Sequence, residues 1–164
     1  MTAPVRDAQR SKVYAAERTL RWLYDHPAAG HEIGGVTLQL EPEARFASLD
    51  SIAAYLDQVV SHPSVIAAVG HRGPIGVRER KGDRQAHYEA GSSTIAVNTG
   101  GTRWALRELV VLHEIAHHYT AQAQTGHGPE FAAAMVALTE SVIGPQAALA
   151  LRLLYAQNGV AHIA

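Results

Sequence analysis

The feature that most constrains this chain is the segment Trp104 to Tyr119, a strongly helical, Leu- and Val-rich run that also contains His113, Glu114, His117 and His118. A helix this apolar belongs in the interior, and burying Glu114 there without a partner costs on the order of several kcal/mol. Whatever fold forms has to give this carboxylate a polar setting inside its core. At about 100° per residue, His113 and His117 lie roughly 40° apart on successive turns, with Glu114 about 60° from His117. Two imidazoles and one carboxylate therefore face a common point.

Chance is a poor account of this His-Glu-x-x-His pattern. Ten histidines and ten glutamates in 164 residues give an expected count of roughly 0.04. The geometry suits two neutral His ligands on Zn²⁺, with Glu114 near enough to take a proton from water without itself ligating. The chain has no cysteine, which excludes disulfides, thiol nucleophiles and thiolate metal sites. Any metal is held by His, Asp or Glu. A catalytic zinc generally has three protein ligands and one open position, and three donors follow the motif: His127, Glu130 and Glu140. His127 is the first choice, because Gly126 and Gly128 flank it in a helix-to-helix turn and Pro129 suits the first position of the next helix. Glu130 is explained as a first-turn acid favouring the helix dipole, and Glu140 is the fallback ligand.

The pattern His113-Glu114-Ile115-Ala116-His117, nine residues, then His127-Gly128-Pro129-Glu130-Phe131 resembles the active-site signature of SprT-like metalloproteases, HExxH followed by a helix-opening HGxxF. The likeness covers about twenty residues and both elements in order. It implies zinc on His113, His117 and His127 with Glu114 as general base. It also implies an edge strand just before the active-site helix that holds substrate extended, here Thr94 to Asn98. A thiolate zinc ribbon often follows that core; this chain has none, and carries the apolar helix Pro145 to Gln157 instead.

At this length one core is expected, so residues 1–164 are expected to form a single domain. Helical spacing runs from about Asp7 to His26, with an Arg-rich outer face, and from Leu49, capped by Ser48, to His62-Pro63. Val36 to Leu40 alternates as a half-buried strand. Short β-type runs follow at Val65 to Val69, Ile75 to Arg80, Gln85 to Glu89 and Thr94 to Val97, with Lys81-Gly82-Asp83 as the clearest hairpin turn. Helix is expected again from Thr102 to about Ala121, Glu130 to Val142 and Pro145 to Gln157. The expected architecture is α+β and zincin-like: a small, mostly antiparallel sheet packed with the His-Glu-x-x-His helix and flanking helices.

A formal net charge of −1 supplies no global field for nucleic acid or an anionic membrane. Arg72, Arg78, Arg80, Lys81 and Arg84 cluster near the expected hairpin, but Glu79 and Asp83 interrupt them, so nucleic acid is not favoured and a solvated hairpin is. No window approaches the ~20 apolar residues needed to span a bilayer, and no signal-peptide pattern opens the chain, so a cytoplasmic protein is expected. His118 points about 100° away from His117 and is assigned to the surface or to support of the ligands. Tyr88, His87 and Tyr119 are candidates for polarising a carbonyl. The expected function is zinc-dependent hydrolysis, with a protein or peptide as substrate and amide bonds cleaved. The rivals are a non-peptidase metallohydrolase and a non-catalytic zinc-containing binding module.

Overall fold

A computed structural model describes residues 3, 5–82, 86–101, 103–123 and 125–162. Among them the fold is α+β, with six helices and two small sheets. In chain order the elements are α1 (Arg10–Asp25), β1 (His31–Ile33), β2 (Val36–Leu38), α2 (Leu49–Ser61), α3 (Pro63–Val69), β3 (Gly76–Glu79), β4 (His87–Glu89), β5 (Thr94–Val97), α4 (Glu108–Tyr119), α5 (Pro129–Val142) and α6 (Pro145–Gln157). They fall into two compact units, Met1–Glu41 with Thr120–Ala164, and Pro42–Tyr119.

In the first unit α6 packs against both α1 and α5. Val13, Ala16 and Leu20 of α1, Phe131, Met135 and Leu138 of α5, and Ala147, Leu151 and Tyr155 of α6 are buried, as their helical spacing requires. Arg21 departs from the expected outer arginine face of α1: it is buried, as is Glu17. Tyr155 donates its hydroxyl to Glu17 at 2.7 Å, and burial together with the Glu17 charge pushes that hydroxyl's pKa well up. β1, which sequence periodicity missed, pairs antiparallel with β2. Gly34 and Gly35 both adopt positive φ between them, the requirement of a two-residue hairpin turn. The Glu41 carboxylate accepts from the backbone N–H groups of Gln146 and Ala147 at 2.9 and 2.8 Å, so a distant acid caps α6. Gly144 precedes that helix with φ 153°, and a Cβ there would overlap the Glu41 side chain.

In the second unit α2 starts with a capping box between Ser48 and Ser51 and buries Ile52, Leu56 and Val59. The run Val65 to Val69, expected as a strand, is helical. Pro63 occupies the first turn, and His62 Nδ1 accepts from the Ser64 N–H at 3.1 Å; a preset φ and a capped first turn outweigh the β-branched residues. The three-stranded sheet has the order β3-β5-β4, with β5 parallel to β3 and antiparallel to β4. This corrects two expectations. The β3-to-β4 connection is not a hairpin, because β5 lies between the two strands; of that expected turn, Asp83 lies outside the described residues, as do Arg84 and Gln85. The strand at Thr94–Val97 is central rather than an edge, so both its sides are already paired. Ile95, Ala96 and Val97 are consecutively buried, the pattern of a strand covered on both faces.

Helix α4 starts later than expected, at Glu108. Of the expected helical lead-in, Thr102 lies outside the described residues, and Arg107 is in an antiparallel bridge with Arg45. Phe46 N–H donates to Leu106 O at 2.9 Å and Glu108 N–H to Ala44 O at 3.0 Å. The Arg107 guanidinium donates to the Glu43 carboxylate at 2.6 and 3.1 Å, and both side chains are almost wholly buried. Among the described residues no single helix is long and apolar enough to cross a membrane; α2 and α3 reach the length together but are bent by 63°.

Truncating one member of a buried ion pair leaves the other charge in a poor solvent. Arg107→Ala is expected to cost about 3 to 5 kcal/mol, measured by urea unfolding. A loss under about 1 kcal/mol, the range of an exposed pair, would contradict the buried role.

Candidate metal centre

His113 and Glu114 sit mid-way along α4 and His117 in its last turn, the first two buried and His117 half-buried. Their spacing does what helix geometry requires: the His113 and His117 rings lie 5.0 Å apart between centroids, in an edge-on arrangement. The next histidine faces elsewhere, at 2% exposure, so it supports the helix from within rather than from the surface. His118 Nε2 lies 3.2 Å from the Gly73 carbonyl and Nδ1 lies 2.9 Å from the Tyr88 hydroxyl. A carbonyl can only accept, so Nε2 carries the proton and Nδ1 accepts from Tyr88. Burial lowers the pKa of His118 and so favours this neutral form. Both nitrogens are engaged, so His118 has no lone pair left to offer a metal, and the Tyr88 hydroxyl is held against it.

His127 lies just before α5, whose first position is Pro129. Its backbone and ring are held together by one acid: Asp7 Oδ1 accepts from the His127 N–H at 3.2 Å, and Asp7 Oδ2 accepts from Nδ1 at 2.7 Å. Gln9 donates its side-chain amide to the His127 carbonyl at 3.1 Å. Tyr14 and Phe131 flank the ring at 5.2 and 4.9 Å between centroids. With the Nδ1 proton directed at a carboxylate, Nε2 presents the lone pair.

The ligand atoms that His113, His117 and His127 can offer lie within 4.8 Å of one another, a group that could hold a metal ion. Three imidazole nitrogens without a thiolate form a donor set suited to zinc. The two alternative donors are accounted for otherwise. Glu140 is exposed and pairs with Arg152 at 3.2 Å; Glu130 is exposed in the first turn of α5. Asp7 is the residue that sequence reasoning missed, since nothing local marks an acid 120 positions upstream as the partner of His127. His87 is exposed. The Tyr119 hydroxyl is buried without a hydrogen-bond partner among the described residues, and burial raises its pKa. In the basic cluster, Arg78 pairs with Glu89 and Glu79 accepts from Thr99 at 2.9 Å.

The entrance to α4 carries a second acid. Glu108 accepts from the Ala44 N–H and from the Tyr55 hydroxyl, both at 2.7 Å. Burial raises its pKa above the ordinary value and the nearby Glu43 charge adds to this, while the two hydrogen bonds oppose it. Burial, and after it the Glu108 and Glu43 charges, push the Tyr55 hydroxyl well up.

No protein-family model matches this chain, and neither curated proteins nor solved structures yield a match.

Because the folded state holds the Glu108 proton more tightly than the unfolded state, its contribution is full below the ordinary carboxyl value of 4.5. It is lost as pH rises through the raised folded-state value. As pH falls from about 7 to about 4, wild type should gain stability relative to Glu108→Gln in paired urea unfolding curves. A gap that stays constant over that window would contradict the raised value.

Proposed function

We propose that this chain is a zinc-dependent hydrolase that cleaves amide bonds of protein or peptide substrates, with His113, His117 and His127 as metal ligands and Glu114 as general base. The observation that carries the reading is the convergence of three imidazoles within 4.8 Å. Three neutral nitrogen ligands leave a fourth position for water or substrate, the arrangement of catalytic rather than structural zinc. The group has three members among the described residues, which favours an enzyme over a closed, purely structural site. The two-part likeness to SprT-like metalloproteases supports the peptidase class.

Zinc bound there would supply a Lewis acid that polarises the scissile carbonyl and acidifies the attacking water. The remaining work falls to the chain's own side chains. Glu114, buried beside His113 in sequence and on the face shared with His117, takes the proton that the water loses as its oxygen bonds to the carbonyl carbon. It then delivers that proton to the nitrogen as the C–N bond breaks, giving a carboxylic acid and a free amine. His113 and His117 are oriented by α4, and His127 by Asp7, whose carboxylate holds both the ring and the backbone N–H. A hydrogen-bonded partner of this kind fixes the tautomer and strengthens the ligand nitrogen.

Purified protein should carry about one zinc per chain, measured by elemental analysis. His113→Ala, His117→Ala and His127→Ala should each lose it, while Glu130→Ala and Glu140→Ala retain it. Since Phe131 beside His127 is buried, metal content has to be compared at matched folded fraction. A folded His127→Ala protein with wild-type zinc affinity would reject that ligand.

Glu114→Gln keeps volume and removes the base. It should retain zinc and the melting temperature but lose peptide hydrolysis by about 10²- to 10⁴-fold. Undiminished turnover would exclude Glu114 from that role.

A further inference from the structure

A cavity of about 450 Å³ opens beside the first turn of α1, lined by Arg6, Asp7, Ala8, Arg10, Ser11 and Tyr14. Its charge is unbalanced. Two guanidinium groups meet one carboxylate, and that carboxylate is already turned to His127 by two hydrogen bonds. Among the described residues neither Arg6 nor Arg10 has a carboxylate partner. Arg10 lies over the Tyr14 ring, 5.8 Å from its centroid, a stacking that leaves the edge N–H donors of the guanidinium available. The first turn of α1 contains no acid, and its N-cap residue Gln9 makes no side-chain capping bond. The unpaired N–H groups of that turn therefore add positive potential on the same side.

The cavity is also continuous with a proposed ligand. Two of its lining residues touch His127: Asp7 through the 2.7 Å bond to Nδ1, and Tyr14 with ring centroids 5.2 Å apart. A molecule seated in the cavity is thus within one side chain of that histidine.

We propose that this cavity is a subsite for a carboxylate carried by a peptide, with Arg6 and Arg10 pairing with the anion, Ser11 contributing a hydroxyl donor and Tyr14 an apolar wall. As the specificity pocket of a hydrolase the inference rests on the function proposed above; as an anion site it stands on the cavity alone. Two forked guanidinium groups suit a planar carboxylate better than a point charge would. The favoured substrate therefore carries an acidic side chain or a terminal carboxylate close to the scissile amide.

The test uses the full chain, metal-free and zinc-loaded, followed by amide ¹H–¹⁵N spectra at low ionic strength. Three probes are titrated: acetyl-Ala-Glu-Ala-amide, acetyl-Ala-Gln-Ala-amide, and acetyl-Ala-Ala-Ala with a free C-terminus. Saturable shifts at Ala8, Arg10 and Ser11 are expected for the Glu peptide, at least about tenfold tighter than for the Gln peptide. The free-terminus probe shows whether a main-chain carboxylate serves as well as a side chain. Arg6→Gln with Arg10→Gln should abolish the difference, and because both side chains are exposed the variant should melt as wild type does. Arg6→Lys with Arg10→Lys should restore only part of it, since charge returns without the fork. Equal affinity for the Glu and Gln peptides, no binding of either, or a preference that survives the double Gln variant would overturn the subsite. A chain that holds no zinc yet discriminates the two peptides would sink the hydrolase reading and uphold the pocket. A zinc-loaded, active chain indifferent to charge would do the reverse.

Discussion

The second unit depends on how two acids, Glu43 and Glu108, are accommodated at the buried start of α4. Burial, and then the nearby Glu43 charge, raise the cost of ionising Glu108, and the interior offers little water to screen the two. Arg107 neutralises Glu43 through a close, nearly dry pair. The Ala44 amide and the Tyr55 hydroxyl serve Glu108. These partners come from the segment before α2 and from α2 itself, so the same contacts that satisfy the charge also fix the rotation of α4 about its axis. A slip of one residue would swing Arg107 and Glu108 by about 100° away from their partners. It would swing His113, Glu114 and His117 by the same angle. The register of the candidate ligands is therefore set by a polar lock about one and a half to three turns upstream.

His118 adds a second constraint on that rotation. It joins α4 to β4 through Tyr88 and to the 70–75 connection through the Gly73 carbonyl; the carbonyl requires a proton on Nε2, and burial favours the neutral ring. Neighbouring histidines on one helix thus take unlike roles because adjacent positions face about 100° apart. One is used up as a brace, while the pair at four-residue spacing shares a face. That division explains why a helix with three histidines close together does not offer three ligands, and why the third has to come from beyond α4.

Much of this was legible in the sequence where the determinant is local. The bounds of α5 and α6, the cap of α2 at Ser48, and the shared face of His113 and His117 follow from spacing, proline placement and capping chemistry, which act within a few residues. The misassignments share a different origin. Val65 to Val69 has strand-like composition, but Pro63 and the His62 cap impose a helix on it. The strand order depends on β5 inserting between β3 and β4, a pairing choice that the alternation of each strand does not encode. The edge assignment of β5 is what the SprT-like resemblance implies; the strand order makes it central, in keeping with its three consecutive buried residues. Arg21, which the expected outer arginine face of α1 would expose, is buried, as is Glu17, and the Glu17 bond to Tyr155 spans 138 positions.

The contrast is sharpest between the two kinds of candidate ligand. His113 and His117 need little beyond a rigid helix, since α4 supplies their orientation. His127 lies just outside a helix, where a bare imidazole would lose side-chain freedom on ligating. Its unit removes that freedom in advance: Asp7 holds the ring and the backbone N–H, Gln9 holds the carbonyl, and Tyr14 and Phe131 limit ring rotation. None of these except Phe131 is near it in sequence. The flanking glycines and Pro129 announce a presented histidine but not what presents it. The residues that do so belong to the start of α1 and the segment before it, and two of them also line the basic cavity. The same short stretch thus orients His127 and shapes the chemistry beside it, so altering Asp7 or Tyr14 would disturb both properties while altering Arg6 or Arg10 would disturb only the second.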